Sequence, residues 1–271
     1  MYYINIRDLL SKRESLDSII EEVQPTVIAI TETWLAEGKE INMEGSGYTT
    51  VFRNEREESG GGGILIAVRD EIKNIVIETS RTKEKYESLW LSINNTKVSL
   101  KLGVIYMPQE SETSKEEIKE IYKLIKEEIQ EGKRKSQKLL IIGDLNCKVG
   151  TKIKGNTDEV TKGGRELLKM MEKEQLTFIN GSEKCIGRWT RDENSSKSII
   201  DYVIVEQTEI EMIDEMQIDE KRLLAPFRVK EEEGNYRVVY SDHNAISIRM
   251  NCIDVEKKRY IEKKNNKIMT R

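Results

Sequence analysis

The sequence has few of the residues that build zinc clusters or disulfide frameworks. Its 271 residues include one histidine and three cysteines, and Cys147, Cys185 and Cys252 lie far apart with no CxxC pair among them. This spacing excludes the zinc sites whose cysteine and histidine ligands come in close pairs. Isolated cysteines also favour a reducing compartment over an oxidising one.

Long hydrophobic runs are absent as well. The longest uncharged apolar runs, such as Leu139–Ile142 and Ile64–Val68, are far shorter than the roughly 20 residues that cross a bilayer. Residues 1–7 lack the apolar block of a secretory signal. We therefore expect an intracellular protein without a membrane span.

The chain carries no excess of charge of either sign. Lys+Arg 45 against Asp+Glu 49 gives a net charge of −4, so the total indicates no particular partner, although a local basic face remains compatible with it. The 37% hydrophobic and 35% charged residues are typical of a globular protein with a buried core.

Proline is rare, with only three residues, and no repeat of 20–50 residues is present. Because no linker-like segment precedes residue 250, we expect one domain over residues 1–254. The basic stretch 255–271 loses the strand pattern and predicts a tail or the start of a linker.

Short apolar runs predict eight buried strands: Val27–Ile30, Gly63–Val68, Leu89–Ile93, Val98–Ile105, Leu139–Ile142, Leu176–Ile179, Ile200–Val205 and Ala245–Ile248. Helical spacing predicts three helices, over Leu16–Val23, over Ile118–Ile125 behind a Ser114-x-x-Glu117 capping box, and over Gly164–Gln175. Because strands and helices do not strictly alternate, we expect an α/β protein with mixed sheets covered by helices.

The single histidine, His243, follows Asp242 directly before an apolar strand, a position that on its own is typical of a solvated turn. Polar residues stand at the ends of four more apolar runs: Glu32, Tyr106, Asp144 with Asn146, and Asp201. Each has a plainer alternative, because Glu32 fits a helix start, Asp144 and Asn146 fit an Asx turn, and Asp201 fits an inward polar residue of a strand.

Taken together, these positions predict one site, because strands of a sheet bring their ends to a common edge. Carboxylate and amide oxygens are the ligands that Mg²⁺ prefers. Glu32 and Asp242, with the amide of Asn5, are therefore the expected metal ligands.

The order of these residues resembles the endonuclease/exonuclease/phosphatase superfamily of Mg²⁺-dependent phosphodiesterases. The resemblance spans nearly the whole chain and rests on six segments: Asn5, Thr31-Glu32-Thr33-Trp34, Tyr106-Met107-Pro108, Gly143-Asp144-Leu145-Asn146, Ile200-Asp201-Tyr202 and Ser241-Asp242-His243. It implies a four-layer αββα sandwich of two mixed β-sheets flanked by helices. It also implies a magnesium cofactor, with manganese as a possible substitute.

Within that superfamily, the stretch from Tyr3 to Lys12 and the segment from Ile30 to Leu35 resemble the endonuclease domain of non-LTR (LINE-type) retrotransposon polyproteins. The DNA-repair branch usually has an acid two residues after the first asparagine, where this chain has Arg7. This departure favours the retroelement branch and removes one possible metal ligand.

The retroelement resemblance implies nicking of double-stranded DNA to leave a 3′-hydroxyl group for a reverse transcriptase. That polymerase would follow in a longer polyprotein, and a nuclear location is expected. Two alternatives stay open: another phosphoesterase of the superfamily, acting on abasic-site DNA, an inositol phosphate or a phospholipid, or a noncatalytic nucleic-acid-binding remnant. The intact motif residues argue against the remnant.

The resemblance also implies roles for the site residues. Asp144 is the expected base for the attacking water, oriented with help from Asn146. His243, with its ring held by Asp201, is expected to donate to a non-bridging phosphate oxygen, and Tyr106 to hydrogen-bond the phosphate.

A cluster of cations, an aromatic residue and an amide precedes Asp201 and predicts contacts with nucleic acid. Its members are Arg188, Trp189, Arg191, Asn194 and Lys197. An equally acceptable interpretation is a surface hairpin with one packed tryptophan. The Gly60–Gly63 run is interpreted as a tight turn into a strand in preference to a phosphate cradle.

Overall fold

Apolar strands dominate the computed structural model of the protein. It describes residues 1–38, 47–48, 50–55, 61–84, 86–95, 98–193, 196–222, 226–230 and 236–251. Cys252 and the predicted boundary between residues 254 and 255 lie outside these ranges, so the two-part division of the chain stays a prediction. Within the same ranges, no helix combines the length and the apolar character needed to cross a membrane.

The described residues form 17 strands and three α-helices. In chain order the strands are β1 Tyr2–Asn5, β2 Val27–Thr31, β3 Thr50–Asn54, β4 Ile64–Val68, β5 Val76–Thr82, β6 Glu87–Asn94, β7 Ser99–Tyr106, β8 Lys138–Asp144, β9 Leu176–Phe178, β10 Cys185–Ile186, β11 Arg191–Glu193, β12 Ser196–Ser198, β13 Asp201–Glu206, β14 Ile213–Ile218, β15 Pro226–Lys230, β16 Tyr236–Tyr240 and β17 Ile246–Met250. The helices are α1 Arg13–Val23, α2 Lys115–Arg134 and α3 Lys162–Glu174.

Two large mixed sheets contain most of these strands. The seven-stranded sheet has the order β10-β14-β17-β1-β2-β4-β3, with β1 parallel to β2 and antiparallel to β17. The six-stranded sheet has the order β5-β6-β7-β8-β13-β9, with β7 and β8 parallel. The pairs β11–β12 and β15–β16 form separate two-stranded ribbons.

Three apolar clusters separate four layers of structure. One joins α1 to the outer face of the seven-stranded sheet and includes Leu16 and Ile20 from the helix and Ile28 from β2. The second lies between the two sheets, and the third joins the six-stranded sheet to α2 and α3. The layers therefore run helix, sheet, sheet, helices, which confirms the expected αββα sandwich.

The second helix shows how local sequence and packing act together. Its predicted capping box is present, because the Ser114 hydroxyl accepts from the Glu117 N–H at 3.2 Å and the Glu117 carboxylate accepts from the Ser114 N–H at 2.8 Å. Lys101, buried under the helix, pairs with Glu128 at 2.7 Å and lies 5.4 Å from the centre of the Trp90 ring. This contact anchors α2 to the six-stranded sheet.

All eight predicted strands are present, with ends within two residues of the prediction. The expected total of eight is wrong, because the described residues hold 17 strands. The missed strands are short, or they carry polar residues because one face or one edge meets solvent, as in β5, where only Val76 is buried. The third helix ends at Glu174, and Gln175 is its left-handed cap, with φ 56°.

The interpretation of the glycine run as a tight turn agrees with the structure for Gly61, Gly62 and Gly63, while Gly60 lies outside the described residues. All three have positive φ, and at Gly63 a Cβ atom would lie 2.3 Å from the Thr33 hydroxyl oxygen. The Gly63 N–H donates to a Glu87 carboxylate oxygen at 2.5 Å. The turn thus packs directly against the loop that follows β2.

Gly143, next to the end of β8, lets that strand approach β7 closely. A Cβ atom on Gly143 would lie 1.8 Å from the Ile105 carbonyl oxygen. Because the neighbouring register pairs Tyr106 with Asp144, this close approach determines how those two side chains meet at the sheet edge.

We predict that Gly143→Ala lowers the free energy of unfolding by about 3 kcal/mol or more, because the added methyl group must push β7 and β8 apart. Gly38→Ala is the matched control, since Gly38 has a φ of +80° but an added Cβ atom would meet no described atom within 4 Å. Backbone strain alone should then lower the free energy of unfolding by about 1–2 kcal/mol. Urea unfolding of both variants measures the difference. Equal losses in the free energy of unfolding would show that the close approach of β7 and β8 at Gly143 leaves room for a methyl group.

Candidate active site

Polar side chains from both sheets meet at one edge of the sandwich. Tyr106 ends β7, Asp144 ends β8 and Asp201 begins β13, and the register places Asp144 opposite both of the others. In the facing sheet, Asn5 ends β1 and Glu32 directly follows β2. The structure thus brings to one place the four residues predicted from the ends of apolar runs and Asn5, which was predicted as a metal ligand.

Two hydrogen bonds at this edge connect strands of the two sheets, and another joins the segment before β17 to the six-stranded sheet. The Asn5 amide nitrogen donates to Asp144 Oδ2 at 3.0 Å, and the Tyr3 hydroxyl donates to Asp201 Oδ1 at 2.9 Å. His243 Nδ1 lies 2.8 Å from Asp201 Oδ2. The carboxylates of the six-stranded sheet are therefore satisfied by groups from the other sheet and from the segment before β17.

The imidazole of His243 is buried between two carboxylates. Its Nδ1 contacts Asp201, and its Nε2 lies 3.8 Å from Asp144 Oδ2. Burial alone would lower the pKa of His243, but the charges of Asp201 and Asp144 outweigh it and raise the pKa to about 9. The ring is therefore an imidazolium at neutral pH, with Asp201 fixing its orientation.

Asp144 has a carboxyl group whose proton equilibrium falls near neutrality. Burial, followed by the charge of Asp201, raises its pKa to about 7, while the charge of His243 opposes this rise. Its oxygens accept from the Asn5 amide and from the Asn146 N–H, both at 3.0 Å. A positioned carboxylate with such a pKa is suited to act as a general base.

The side chain of Asn146 is held in place at the rim of the site. Its amide nitrogen donates to the Met107 carbonyl oxygen at 2.8 Å, and its backbone has φ 44°. A left-handed backbone at a non-glycine residue is costly and is concentrated at functional sites. The predicted orienting role of Asn146 remains a prediction.

Glu32 and Tyr106 occupy the neighbouring part of the site. The Glu32 carboxylate accepts from Asn5 Nδ2 at 3.1 Å and from Trp34 Nε1 at 3.2 Å. Burial and then the charge of Glu32 raise the pKa of Tyr106, so its phenol stays protonated. A protonated phenol can donate a hydrogen bond to a phosphate oxygen.

Two groups of residues have the chemistry of a cation site. Asp242 Oδ1 and Asn5 Oδ1 are buried acceptors without a hydrogen-bond partner among the described residues, and the latter belongs to an amide that also contacts Glu32. Oxygens of this kind fit a hard divalent cation such as Mg²⁺. Asp144, Asp201 and His243 also have potential ligand atoms within 4.8 Å, but the hydrogen bond between His243 and Asp201 already uses that pair.

The predicted nucleic-acid contacts lie on and before the β11–β12 ribbon. Arg191 begins β11 and forms an isolated bridge with His243, while Lys197 lies exposed in β12 and pairs with Asp192 at 3.2 Å. The Arg188 guanidinium covers the Trp189 ring, with 4.3 Å between the guanidinium carbon and the ring centre.

Trp189 is partly packed against the cluster beneath α2 and α3. The chain thus forms the hairpin with a packed tryptophan of the alternative interpretation, but the hairpin lies beside the site. Asn194 lies outside the described residues.

Three residues contact the site although the sequence patterns gave them no role in it, and one of them, Arg7, was noted there only as a departure from the DNA-repair branch. Tyr3 contacts Asp201, Arg7 pairs with Asp242, and the Thr190 hydroxyl accepts from the backbone N–H of Asp201 at 3.0 Å. Strand alternation places Tyr3 on the same face as Asn5, two positions later, and would have identified it had β1 been predicted. We find no comparable sequence signal for Thr190.

Several solved structures share this fold. The endonuclease domain of TRAS1, a telomere-specific non-LTR retrotransposon, matches with a TM-score of 0.63 and 18% identity, over 93% of this chain and 97% of that one. The 3′ phosphatase NExo from Neisseria, bound to a product DNA hairpin, matches with a TM-score of 0.67 and 12% identity, over 92% and 98% of the two chains.

An endonuclease/exonuclease/phosphatase family protein from Bacteroides thetaiotaomicron matches with a TM-score of 0.61 and 14% identity, over 91% and 95%. At these identities the matches establish the fold of the nuclease and phosphatase superfamily.

A sequence family model identifies the family of the chain. The model described as endonuclease-reverse transcriptase matches residues 100–247, more than half of the 271 residues. The chain therefore belongs to the endonuclease-reverse transcriptase family. No curated protein matches the sequence significantly. The matched range includes Asp144, Asp201 and His243.

The raised pKa of Asp144 predicts a pH-dependent effect on stability. Because its folded-state pKa is about 7 against an ordinary 3.8, the folded protein binds this proton more tightly, and the associated stability is lost as the pH rises through 7. We predict that the melting temperature of Asp144→Asn rises relative to the wild type between pH 5 and pH 8.

Thermal unfolding at several pH values measures this difference. Asp17→Asn is the control, because Asp17 is 44% exposed on α1 and forms its ion pair with Arg13 of the same helix. Its difference from the wild type should not change over that range. A difference for Asp144→Asn that falls with rising pH would contradict the account.

Proposed function

We propose that this protein is a divalent-metal-dependent endonuclease that nicks double-stranded DNA and leaves a 3′-hydroxyl group. The observation that carries the proposal is the buried imidazole of His243, which lies between Asp201 and Asp144 where both sheets end. Membership of the endonuclease-reverse transcriptase family and the fold shared with a non-LTR retrotransposon endonuclease domain support the same activity.

Asp144 is the general base of the proposed reaction. A pKa of about 7 leaves a substantial fraction of its carboxyl group ionised at neutral pH. The carboxylate takes a proton from a water molecule, whose oxygen then attacks phosphorus. The bond between phosphorus and the 3′-oxygen breaks, and the 3′-oxygen leaves. Contacts to the Asn5 amide and the Asn146 N–H keep the carboxylate oriented for this step.

His243 supplies positive charge for the transition state. With a pKa of about 9 it carries a proton at neutral pH and can donate through Nε2 to a non-bridging phosphate oxygen. Asp201 holds the ring through Nδ1, and Tyr3 in turn hydrogen-bonds Asp201. The Tyr106 phenol donates a further hydrogen bond to the phosphate.

Glu32, Asp242 and Asn5 would hold Mg²⁺, or Mn²⁺ in its place, and the ion would stabilise negative charge on the leaving 3′-oxygen. Asn5 and Asp242 each have a buried oxygen without a hydrogen-bond partner among the residues that the structure describes, which supports this choice of ligands.

DNA binding is proposed for the cations beside the site. Because the catalytic residues are mainly acidic, DNA phosphates need positive partners nearby, and Arg188, Arg191 and Lys197 are the candidates on this side. Trp189 offers an aromatic face for base stacking, although Arg188 covers part of it. Asn194 completes the proposed set.

The proposed biological setting is that of a non-LTR retroelement. The 3′-hydroxyl group at the nick would prime a reverse transcriptase domain of a longer polyprotein. Nicking of chromosomal DNA requires access to the nucleus, which is the proposed location.

Plasmid nicking tests the proposed function. We predict that supercoiled plasmid is converted to open circles with Mg²⁺ and stays intact with EDTA. Asp144→Asn should lower the nicking rate by roughly 10²–10⁴-fold, as expected for loss of a general base. Asp17→Asn, on the exposed side of α1, should nick at the wild-type rate.

Nicking that survives EDTA, or a wild-type rate for Asp144→Asn, would contradict the proposal. An oligonucleotide with a 3′-phosphate end serves as a second substrate. Release of inorganic phosphate from it, with the plasmid left intact, would identify a phosphatase in place of a nicking endonuclease.

A further inference from the structure

Arg7 places a guanidinium against the two carboxylates that are the proposed metal ligands. Its Nη1 lies 3.0 Å from Asp242 Oδ2, and its Nε lies 4.0 Å from Glu32 Oε2. The Arg7 side chain is 42% exposed, whereas those of Asp242 and Glu32 are 10% and 13% exposed. A partly solvated cation therefore covers two mostly buried anions.

The backbone around Arg7 is held in an unusual shape. Arg7 and Asp8 have φ of 46° and 79°, in the left-handed region that non-glycine residues rarely adopt. The Lys12 ammonium group, itself buried, donates to the carbonyl oxygens of Ile6 and Arg7 at 2.5 Å each. The Asp8 N–H donates to the Glu32 carbonyl oxygen at 3.0 Å.

These contacts tie the turn at Arg7 and Asp8 to the loop that carries Glu32. Strained backbone that persists because several contacts support it is typical of functional sites. The backbone position of Arg7 is therefore built into the fold, so its side chain starts from a fixed point beside Glu32 and Asp242.

The two cations on Asp242 share one of its oxygens. Arg7 Nη1 and Arg191 Nε both approach Oδ2, at 3.0 and 2.9 Å, while Oδ1 is buried without a partner among the described residues. One oxygen of this carboxylate is therefore paired with two arginines, and the other is open to a further cation.

We propose that Arg7 is a built-in competitor of the divalent cation: its guanidinium neutralises Glu32 and Asp242 in the metal-free protein and weakens the binding of Mg²⁺ there. This inference rests on the ligand set of the proposed function. A divalent ion must bind within a few ångströms of a fixed positive charge, or displace that charge toward solvent, and either event opposes binding. The exposure of Arg7 permits the displacement.

Calorimetric titration of the DNA-free protein with MgCl₂, and separately with MnCl₂, tests this inference without any measurement of activity. We predict that Arg7→Met, which keeps the aliphatic stem and removes the charge, lowers the dissociation constant by about fivefold to tenfold. Arg7→Lys keeps the charge and should stay near the wild-type value. Arg249→Met is the control, because Arg249 is 67% exposed and pairs with Glu215 on the neighbouring strand β14 and with neither proposed metal ligand among its described ion pairs.

The outcomes separate this inference from the proposed function. If Arg7→Met binds the divalent ion more tightly than the wild type and Arg7→Lys does not, competition between Arg7 and the ion is supported. The same holds if the wild type binds the ion too weakly to measure and Arg7→Met binds it measurably. Equal affinity of Arg7→Met and wild type overturns it, and the Mg²⁺-dependent nicking assay then stands or falls independently. If neither protein binds either ion, this inference is wrong, and the effect of EDTA on plasmid nicking decides the proposed metal dependence separately.

Discussion

Charge buried between two β-sheets is the constraint on which the rest of this site depends. Asp144 and Asp201 are almost completely buried, and an unpaired carboxylate in such a place is strongly unfavourable. Their partners come from the other side of the sandwich, as the Asn5 amide, the Tyr3 hydroxyl and the His243 ring. The contacts that satisfy the charges therefore also fix how the two sheets meet, and the geometry of the site is part of the fold.

The same burial divides the site into groups with different chemistry. The two neighbouring carboxylates raise the pKa of His243 to about 9, whereas burial raises the pKa of Asp144 to about 7. An acid and a base therefore coexist at neutral pH. Asp242 is different, because two arginines pair with one of its oxygens while the other has no hydrogen-bond partner in the part of the chain that the structure describes. Arg7 contacts Asp242 of this second group. The arginine that stands where the DNA-repair branch usually has an acid is therefore connected with cation binding and not with proton transfer.

The sequence predicted strand ends well where a polar residue directly follows a short apolar run, as Asp144 does, whereas Asp201 lies at the start of its strand. It did not predict which ends face each other across the sandwich, since that depends on packing between distant segments. Tyr3 was missed because β1 has only four residues and was not predicted as a strand. Arg7 was noticed as a departure, but its ion pair with Asp242 joins opposite ends of the chain through a left-handed turn that no local pattern indicates.

The central claim is that His243 is held as a buried imidazolium between two carboxylates. Because the chain has one histidine, its imidazole gives a single set of proton resonances that can be followed by NMR as a function of pH. The account predicts a midpoint near pH 9, well above the ordinary 6.5, and a lower midpoint in Asp201→Asn. A wild-type midpoint at or below 6.5 would show that the ring is neutral at physiological pH and would contradict the proposed role of His243.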